Sequence, residues 1–111
     1  QQILPIYVGT TEAISIRTVL ENRPTPRPLT PDLLINILEG LNSRVDKVII
    51  DDIKEGVYYA KVVVKWKEGI SEFDARPSDG VALAVRSEAP VYVTDDVIKA
   101  TAVERKSIEI W

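Results

Sequence analysis

The middle of the chain most constrains the fold, because it contains three runs of strand-forming residues separated by short turns. Val57–Lys67 alternates apolar and polar residues, as a half-buried strand does. The residues expected to face a core are Tyr58, Ala60, Val62, Val64 and Trp66. Turns containing Gly56 and Gly69 connect this run to Val45–Ile53 and to Ile70–Arg76. The pattern predicts a three-stranded antiparallel meander.

Helical patterns flank the meander. Apolar spacing predicts a first helix, capped by Thr10 or Thr11, that ends near Asn22, and a third helix from Asp79 to about Glu88. The second helix has the clearest pattern, with Thr30 expected as its N-cap. Its predicted buried stripe consists of Leu34, Ile37, Leu38 and Leu41.

The remaining segments add three short strands and a last helix. Ile3–Val8, Val91–Val93 and Ser107–Trp111 are predicted strands, and Thr94 is the expected cap of the last helix. Together the elements predict an α+β fold. We expect a single domain over residues 1–111, with a mixed, mainly antiparallel sheet and three or four short helices packed on it.

Composition limits the function classes. The 111 residues suit one domain, and a hydrophobic content of 45% is enough for a core. The chain has no cysteine or histidine, which excludes thiolate chemistry, disulfides and a histidine general base. No apolar run approaches the ~20 residues of a membrane span. The net charge of −3 argues against a large basic face. The absence of cysteine fits the cytoplasm, which is the expected localisation.

Two strand-to-helix corners share an Arg-Pro sequence followed by a hydroxyl residue and an aspartate. One is Arg27-Pro28-Leu29-Thr30-Pro31-Asp32, and the other is Arg76-Pro77-Ser78-Asp79. Ser78 is expected to cap the third helix, with Asp79 in its first turn. On the preceding strand, alternation places Glu72, Asp74 and Arg76 on one face. The pattern fits either a capped corner held by an ion pair or a polar binding site at a helix N-terminus.

The site interpretation assigns a role to each of these residues. Carboxylates at several helix starts are suited to bind Mg²⁺ or Mn²⁺, which prefer oxygen ligands, and Glu12 marks one more such start. The predicted catalytic and metal-binding residues are Asp74, Asp79 and Asp32. The predicted phosphate-binding residues are Arg76, Arg27, Thr30 and Ser78. This set would suit phosphodiester cleavage by a metal-activated water.

Five segments, in order along nearly the whole chain, resemble the bifunctional nuclease domain family. They are Leu-Pro-Ile-Tyr-Val-Gly-Thr-Thr-Glu-Ala (4–13), Pro-Arg-Pro-Leu-Thr-Pro-Asp-Leu-Leu (26–34), Val-Tyr-Tyr-Ala (57–60), Asp-Ala-Arg-Pro-Ser-Asp-Gly-Val-Ala-Leu-Ala-Val-Arg (74–86) and Ala-Pro-Val-Tyr-Val (89–93). The resemblance implies a small α+β domain, often dimeric, with DNase and RNase activity ascribed to it.

Two departures from the family bear on mechanism and assembly. Family members commonly have histidine where this chain has Pro31, so a mechanism that uses that histidine fails here. Members also usually have a hairpin before the segment that begins at Leu4, and without it a sheet edge would stay open. We therefore expect a homodimer. Two hypotheses remain: a metal-assisted nuclease acting on DNA or RNA, and a non-catalytic oligomeric module that binds a protein or a small anion.

Overall fold

The computed structural model describes residues 10–23 and 25–108. It confirms the predicted α+β fold, a single domain with four helices and a four-stranded mixed sheet. The elements in chain order are α1 (Thr10–Leu20), α2 (Thr30–Gly40), β1 (Arg44–Lys54), β2 (Val57–Trp66), β3 (Gly69–Ala75), α3 (Pro77–Ser87), β4 (Val91–Val93) and α4 (Asp95–Ile108). None of these helices is both long and apolar enough to cross a bilayer.

The predicted meander is confirmed. β1 pairs antiparallel with β2, and β2 with β3, while β4 joins β1 in parallel to give the order β3-β2-β1-β4. A two-residue turn connects β1 to β2, with Glu55 and Gly56 at φ 52° and 79°. Both positive φ values fit the turn type that follows the right-handed twist of a hairpin.

Two irregularities in β1 decide which of its residues face the core. The pairing with β2 shifts register after Val45 and again after Ile50. Because a one-residue bulge reverses the alternation, Val45 and Val48 both face the core although three positions separate them. They pack there with Val62 and Val64 of β2.

The helices α2, α3 and α4 lie on one face of the sheet and share one hydrophobic cluster. Leu83 and Ala84 of α3 and Val97 of α4 are its buried helical members, and Leu38 of α2 packs at its margin. The close approach of α3 to β1 depends on Gly80. A Cβ atom at this position would lie 2.8 Å from Cγ1 of Val48.

Several predicted boundaries and caps are wrong by one or two residues. β3 ends at Ala75, and the extended Arg76 is the N-cap of α3, so Ser78 is the second helical residue and makes no side-chain capping bond. In α2 the N-cap is Leu29, and Thr30 is already helical. Each proline lies within the first two helical positions, which places the cap one residue before Thr30 in α2 and two residues before Ser78 in α3.

Three further predictions need correction or cannot be tested. Thr94 directly precedes α4, and its carbonyl accepts the Ile98 N–H at 3.1 Å, but its buried hydroxyl makes no hydrogen bond within the described residues and so does not cap the helix. The helix α4 includes Ser107 and Ile108, which excludes a strand there. The predicted strand Ile3–Val8 and residues 109–111 lie outside the described residues.

The predicted buried stripe of α2 is mostly exposed. Leu34, Ile37 and Leu41 keep 43%, 48% and 69% of their surface accessible, and only Leu38 packs against the core. Leu33, on the same helix, is 52% exposed. The periodicity correctly predicted an amphipathic helix, but the sheet covers only one margin of it.

Candidate functional site

A groove lies where α1, α2 and α3 begin. Its volume is about 350 Å³. Helix α1 contributes one wall and the start of α2 the other, while Ala82 and Leu83 of α3 lie between them. The full lining consists of Glu12, Ile14, Ser15, Leu29, Thr30, Pro31, Leu34, Arg76, Asp79, Ala82 and Leu83. The two Arg-Pro corners therefore contribute to one site, as their shared sequence suggested.

Arg76 links two carboxylates at the rim of this groove. Its Nε donates to Asp79 Oδ2 at 2.8 Å, and its Nη2 donates to Asp79 Oδ1 at 3.1 Å and to Glu12 Oε1 at 2.9 Å. These bonds, first to Asp79 and then to Glu12, raise the pKa of Arg76 further above its ordinary value. The guanidinium therefore stays charged throughout the working pH range, and most of it is open to solvent.

The rim brings together charges of both signs. The lining includes early residues of three helices, Glu12 of α1, Thr30 of α2 and Asp79 of α3. A helix N-terminus carries about half a positive charge and presents free N–H groups. The rim side chains carry one net negative charge, because two carboxylates surround one guanidinium. The donors left for an anionic group of a ligand are the helix N-termini and Arg76 Nη1, which makes no hydrogen bond within the described residues.

Arg86 stabilises the packing of the three helices behind the groove. Its side chain is 5% exposed, and its Nε donates to Asp32 Oδ1 at 2.6 Å. Its other nitrogens donate to the Ala82 carbonyl at 3.0 Å and to the carbonyl and hydroxyl of Ser15, both at 3.1 Å. One guanidinium thus connects α1, α2 and α3.

Asp32 has two hydrogen-bonded partners. Besides Arg86, it accepts the backbone N–H of Leu29 at 2.8 Å, which stabilises the start of α2. Partial burial raises the pKa of Asp32, but the hydrogen bonds from Arg86 and Leu29 and the charge of Arg86 outweigh burial and leave the pKa lowered. Asp32 is therefore ionised in the folded protein at neutral pH.

Asp32 and Asp79 line different cavities. Asp32 and Arg86 line a second, more open cavity of about 520 Å³, together with Val19, Leu20, Asn22, Ile35, Asn36, Val85 and Glu88. This cavity shares no lining residue with the groove. Only Asp79 among the three predicted catalytic aspartates lines the groove.

Asp74 lies on the other face of the sheet. It pairs across the strands with Lys61, whose Nζ lies 3.4 Å from Asp74 Oδ1, whereas Ala60 and Ala75 contact the core on the helical face. The prediction that Arg76 shares a face with Asp74 is wrong, because the strand ends before Arg76. The side chain of Arg76 turns instead toward α1 and α3.

The predicted phosphate-binding residues are also divided. Thr30 and Arg76 line the groove. Ser78 is buried in the first turn of α3, and Arg27 is exposed. Among the residues whose side chains the structure describes (10, 12–23 and 25–101), no ion pair includes Arg27.

The carboxylates of the described residues form no group of three that could hold a metal ion. Two carboxylate pairs each share one cation: Asp51 and Asp74 share Lys61, and Glu12 and Asp79 share Arg76 at the groove. Mg²⁺ commonly binds one or two carboxylates together with substrate phosphate. The donor chemistry of the pair at the groove therefore fits a hard divalent cation that arrives with the substrate, whereas Asp32 and Asp74 pair with Arg86 and Lys61.

Sequence analysis missed Arg86. Its partners Asp32 and Ser15 are 54 and 71 residues away in sequence, so no local pattern indicates them. The available signal was a single arginine after the apolar run Val-Ala-Leu-Ala-Val of α3. A charged residue that follows a buried helical face often has a specific partner.

Comparison with known proteins agrees with the segments singled out above. The profile described as "Bifunctional nuclease domain" matches residues 1–106. The chain belongs to this family.

Relatives in the family come from bacteria and plants. A Mycobacterium tuberculosis protein, named only as uncharacterised, is 38% identical over 95 residues, which cover 86% of this chain and 56% of that protein. Bifunctional nuclease 1 of Oryza sativa subsp. japonica is 28% identical over 94 residues, which cover 82% of this chain and 28% of that protein. The bifunctional nuclease of Oryza minuta has the same identity and coverage. The chain thus spans about half the length of the mycobacterial relative.

Proposed function

We propose that this domain cleaves phosphodiester bonds of DNA or RNA at the groove where α1, α2 and α3 begin. The observation that carries the proposal is the family match over residues 1–106, together with the rice relatives that are named bifunctional nucleases. The geometry supports it, because Arg76 and the helix starts provide a place for a phosphate beside two carboxylates.

Each rim residue has a distinct role in this proposal. Arg76 binds the phosphate, and Glu12 and Asp79 orient its guanidinium before substrate arrives. Thr30 donates a hydrogen bond from its hydroxyl at the opposite wall. With no histidine in the chain, a carboxylate must accept the proton of the attacking water. Glu12 is suited to this role, because Arg76 engages only its Oε1 whereas it engages both oxygens of Asp79. Asp74, Asp32, Arg27 and Ser78 remain predicted site residues that variants must test.

A divalent metal, Mg²⁺ or Mn²⁺, remains part of the proposal. Glu12 and Asp79 would hold it, and it would supply a more acidic water and neutralise charge on the phosphate. The test is cleavage of end-labelled single-stranded and duplex DNA and RNA, each with Mg²⁺, with Mn²⁺ and with EDTA. Activity that is unchanged by EDTA would contradict the metal requirement.

Arg76→Ala provides the decisive variant. We expect cleavage to fall by about 100-fold or more, because the phosphate loses its charged donor. Arg23→Ala is the matched control, since Arg23 is an equally exposed arginine that pairs with Glu21 away from the groove. Full activity in Arg76→Ala, or equal loss in both variants, would contradict the proposed site.

The second candidate function is a non-catalytic oligomeric module. The exposed stripe of Leu33, Ile37 and Leu41 on α2 favours it, because three apolar residues at helical spacing in solvent are typical of an interaction surface. The predicted homodimer would use this stripe or the edge that β3 forms in the described sheet. Cytoplasmic localisation also remains a prediction.

Light scattering on two variants tests the dimer. Ile37→Asp should convert a dimer to a monomer if the stripe is the interface. Leu20→Asp, an exposed leucine on α1, is the control and should leave the assembly unchanged. A monomer for the unmodified protein at high micromolar concentration would exclude the dimer.

A further inference from the structure

The walls of the groove are apolar below its charged rim. Ile14 of α1 and Leu34 of α2 line it from opposite sides and remain 57% and 43% exposed. Leu29, Pro31 and Leu83 extend the same surface. Apolar side chains that line a groove while open to solvent are typical of a ligand-binding surface.

Few polar side chains of this groove have a donor or acceptor free to form a hydrogen bond with a ligand. The Ser15 hydroxyl already interacts with Arg86, and Glu12 and Asp79 bind Arg76. Among the described residues, Thr30 is the remaining polar residue of the lining. The groove therefore recognises a flat apolar surface rather than a pattern of donors and acceptors, while Arg76 at the rim complements a negative charge.

We propose that the groove binds one unstacked base of a single-stranded nucleic acid, between Ile14 and Leu34, with the adjoining phosphate at Arg76. This inference rests on the proposed nuclease function and specifies its substrate class. The volume of about 350 Å³ falls within the ~300–1,000 Å³ typical of ligand pockets. Ile14, Leu34 and Arg76 line the same groove, so a base and its adjoining phosphate would meet an apolar surface and a cation there.

Binding of one base in the groove would determine whether single-stranded or duplex nucleic acid is preferred. A base in a duplex is covered by its neighbours on both faces, so it must leave the stack before it can enter the groove. Single strands should therefore bind and react at least about 10-fold better than the same sequence as a duplex. Because contacts to base faces are tolerant of sequence, the four bases should differ less than strand type does.

The experiment measures binding separately from cleavage. Fluorescence anisotropy in EDTA would compare a labelled single-stranded oligonucleotide, its duplex, and the same strand with abasic residues. We expect the single strand to bind at least about 10-fold tighter than the duplex and the abasic strand. Equal binding of all three probes would overturn the inference, because the sugar-phosphate backbone alone would then account for affinity.

Three variants of α2 assign the effect to the groove. Leu34→Ser should weaken single-strand binding about 5-fold to 10-fold, and Leu34→Tyr should strengthen it, because an aromatic ring stacks on a base. Leu33→Ser is the control, since Leu33 is next in sequence and similarly exposed but does not line the groove. Equal effects of Leu33→Ser and Leu34→Ser, or no gain from Leu34→Tyr, would overturn the inference.

The two proposals fail in different ways. Strand binding that depends on Leu34 without any cleavage would support this inference and contradict the nuclease proposal. Cleavage of duplex and single strand at equal rates, unaffected by Leu34→Ser, would support the nuclease proposal and overturn this inference. Absence of both binding and cleavage would overturn both.

Discussion

Arg86 Nε lies 2.6 Å from Asp32 Oδ1, and this contact connects the last turn of α3 to the first turn of α2. The same guanidinium reaches the Ser15 carbonyl and hydroxyl on α1. The relative positions of the groove walls therefore depend on one side chain that does not line the groove.

Arg86→Ala should destabilise the fold by about 2–4 kcal/mol. The change removes four hydrogen bonds and leaves the partly buried Asp32 without its cationic partner. Arg17→Ala is the control, because Arg17 forms an exposed ion pair with Glu21 on α1 and should change stability by less than about 0.5 kcal/mol. Urea denaturation would measure both values, and a similar loss for each variant would contradict the role of Arg86.

Stability should fall in acid through Asp32. The pKa of Asp32 in the folded protein lies below its ordinary value of 3.8, so the unfolded chain binds a proton first as pH falls. The stabilisation from Asp32 is complete well above pH 3.8 and is lost as pH falls through the lowered pKa. Denaturation from pH 6 to pH 2 should show the stability advantage over Asp32→Asn shrinking below about pH 4. A constant difference across this range would contradict the assignment.

Gly80→Ala should destabilise the fold by about 1–3 kcal/mol. The added methyl group would lie 2.8 Å from Val48 Cγ1, so α3 or β1 must shift. Gly40→Ala is a matched control at the end of α2, where a Cβ meets nothing within 4 Å. Because alanine favours helix over glycine by about 0.5–1 kcal/mol, Gly40→Ala should be neutral or stabilising. Thermal denaturation distinguishes the two.

Asp79→Asn and Asp74→Asn separate the groove from the set of aspartates predicted from sequence. We expect Asp79→Asn to reduce cleavage at least about 100-fold, since Asp79 orients Arg76 at the rim. Asp74→Asn should leave cleavage within about 3-fold, because Asp74 pairs with Lys61 on the other face of the sheet. Equal loss in both folded variants would support the sequence-based set instead.

The sequence predicted the meander and the C-terminal ends of α1 and α3 well, because these depend on local chemistry. Gly56 occupies a position with positive φ, and Asn22, Asn42 and Glu88 take the same conformation after α1, α2 and α3. The exposure of Leu34, Ile37 and Leu41 was not predictable in this way. Periodicity shows that a helix has an apolar side but does not show what covers it.

The candidate site was predictable in part for the same reason. Arg76 and Asp79 are three residues apart, so their pairing follows from local geometry, and the shared corner sequence correctly brought Thr30 to the same groove. Glu12 and Arg86 act through partners more than 60 and 50 residues away, which only tertiary packing determines. Asp74 and Arg76 are separated because β3 ends at Ala75, so Arg76 no longer follows the alternation that places Asp74 on one face of the sheet.

The attachment of α1 has a consequence for access to the groove. Among the described elements, α1 packs chiefly on α3, whereas α2, α3 and α4 all reach β1. Elements that few contacts anchor open locally more often than the rest of a fold, so among the described elements we expect α1 to open while the sheet stays folded. Such an opening would remove one wall of the groove together with Glu12. Any ligand held between α1 and α2 would therefore slow amide hydrogen exchange in α1. The same helix would both line the groove and control access to it.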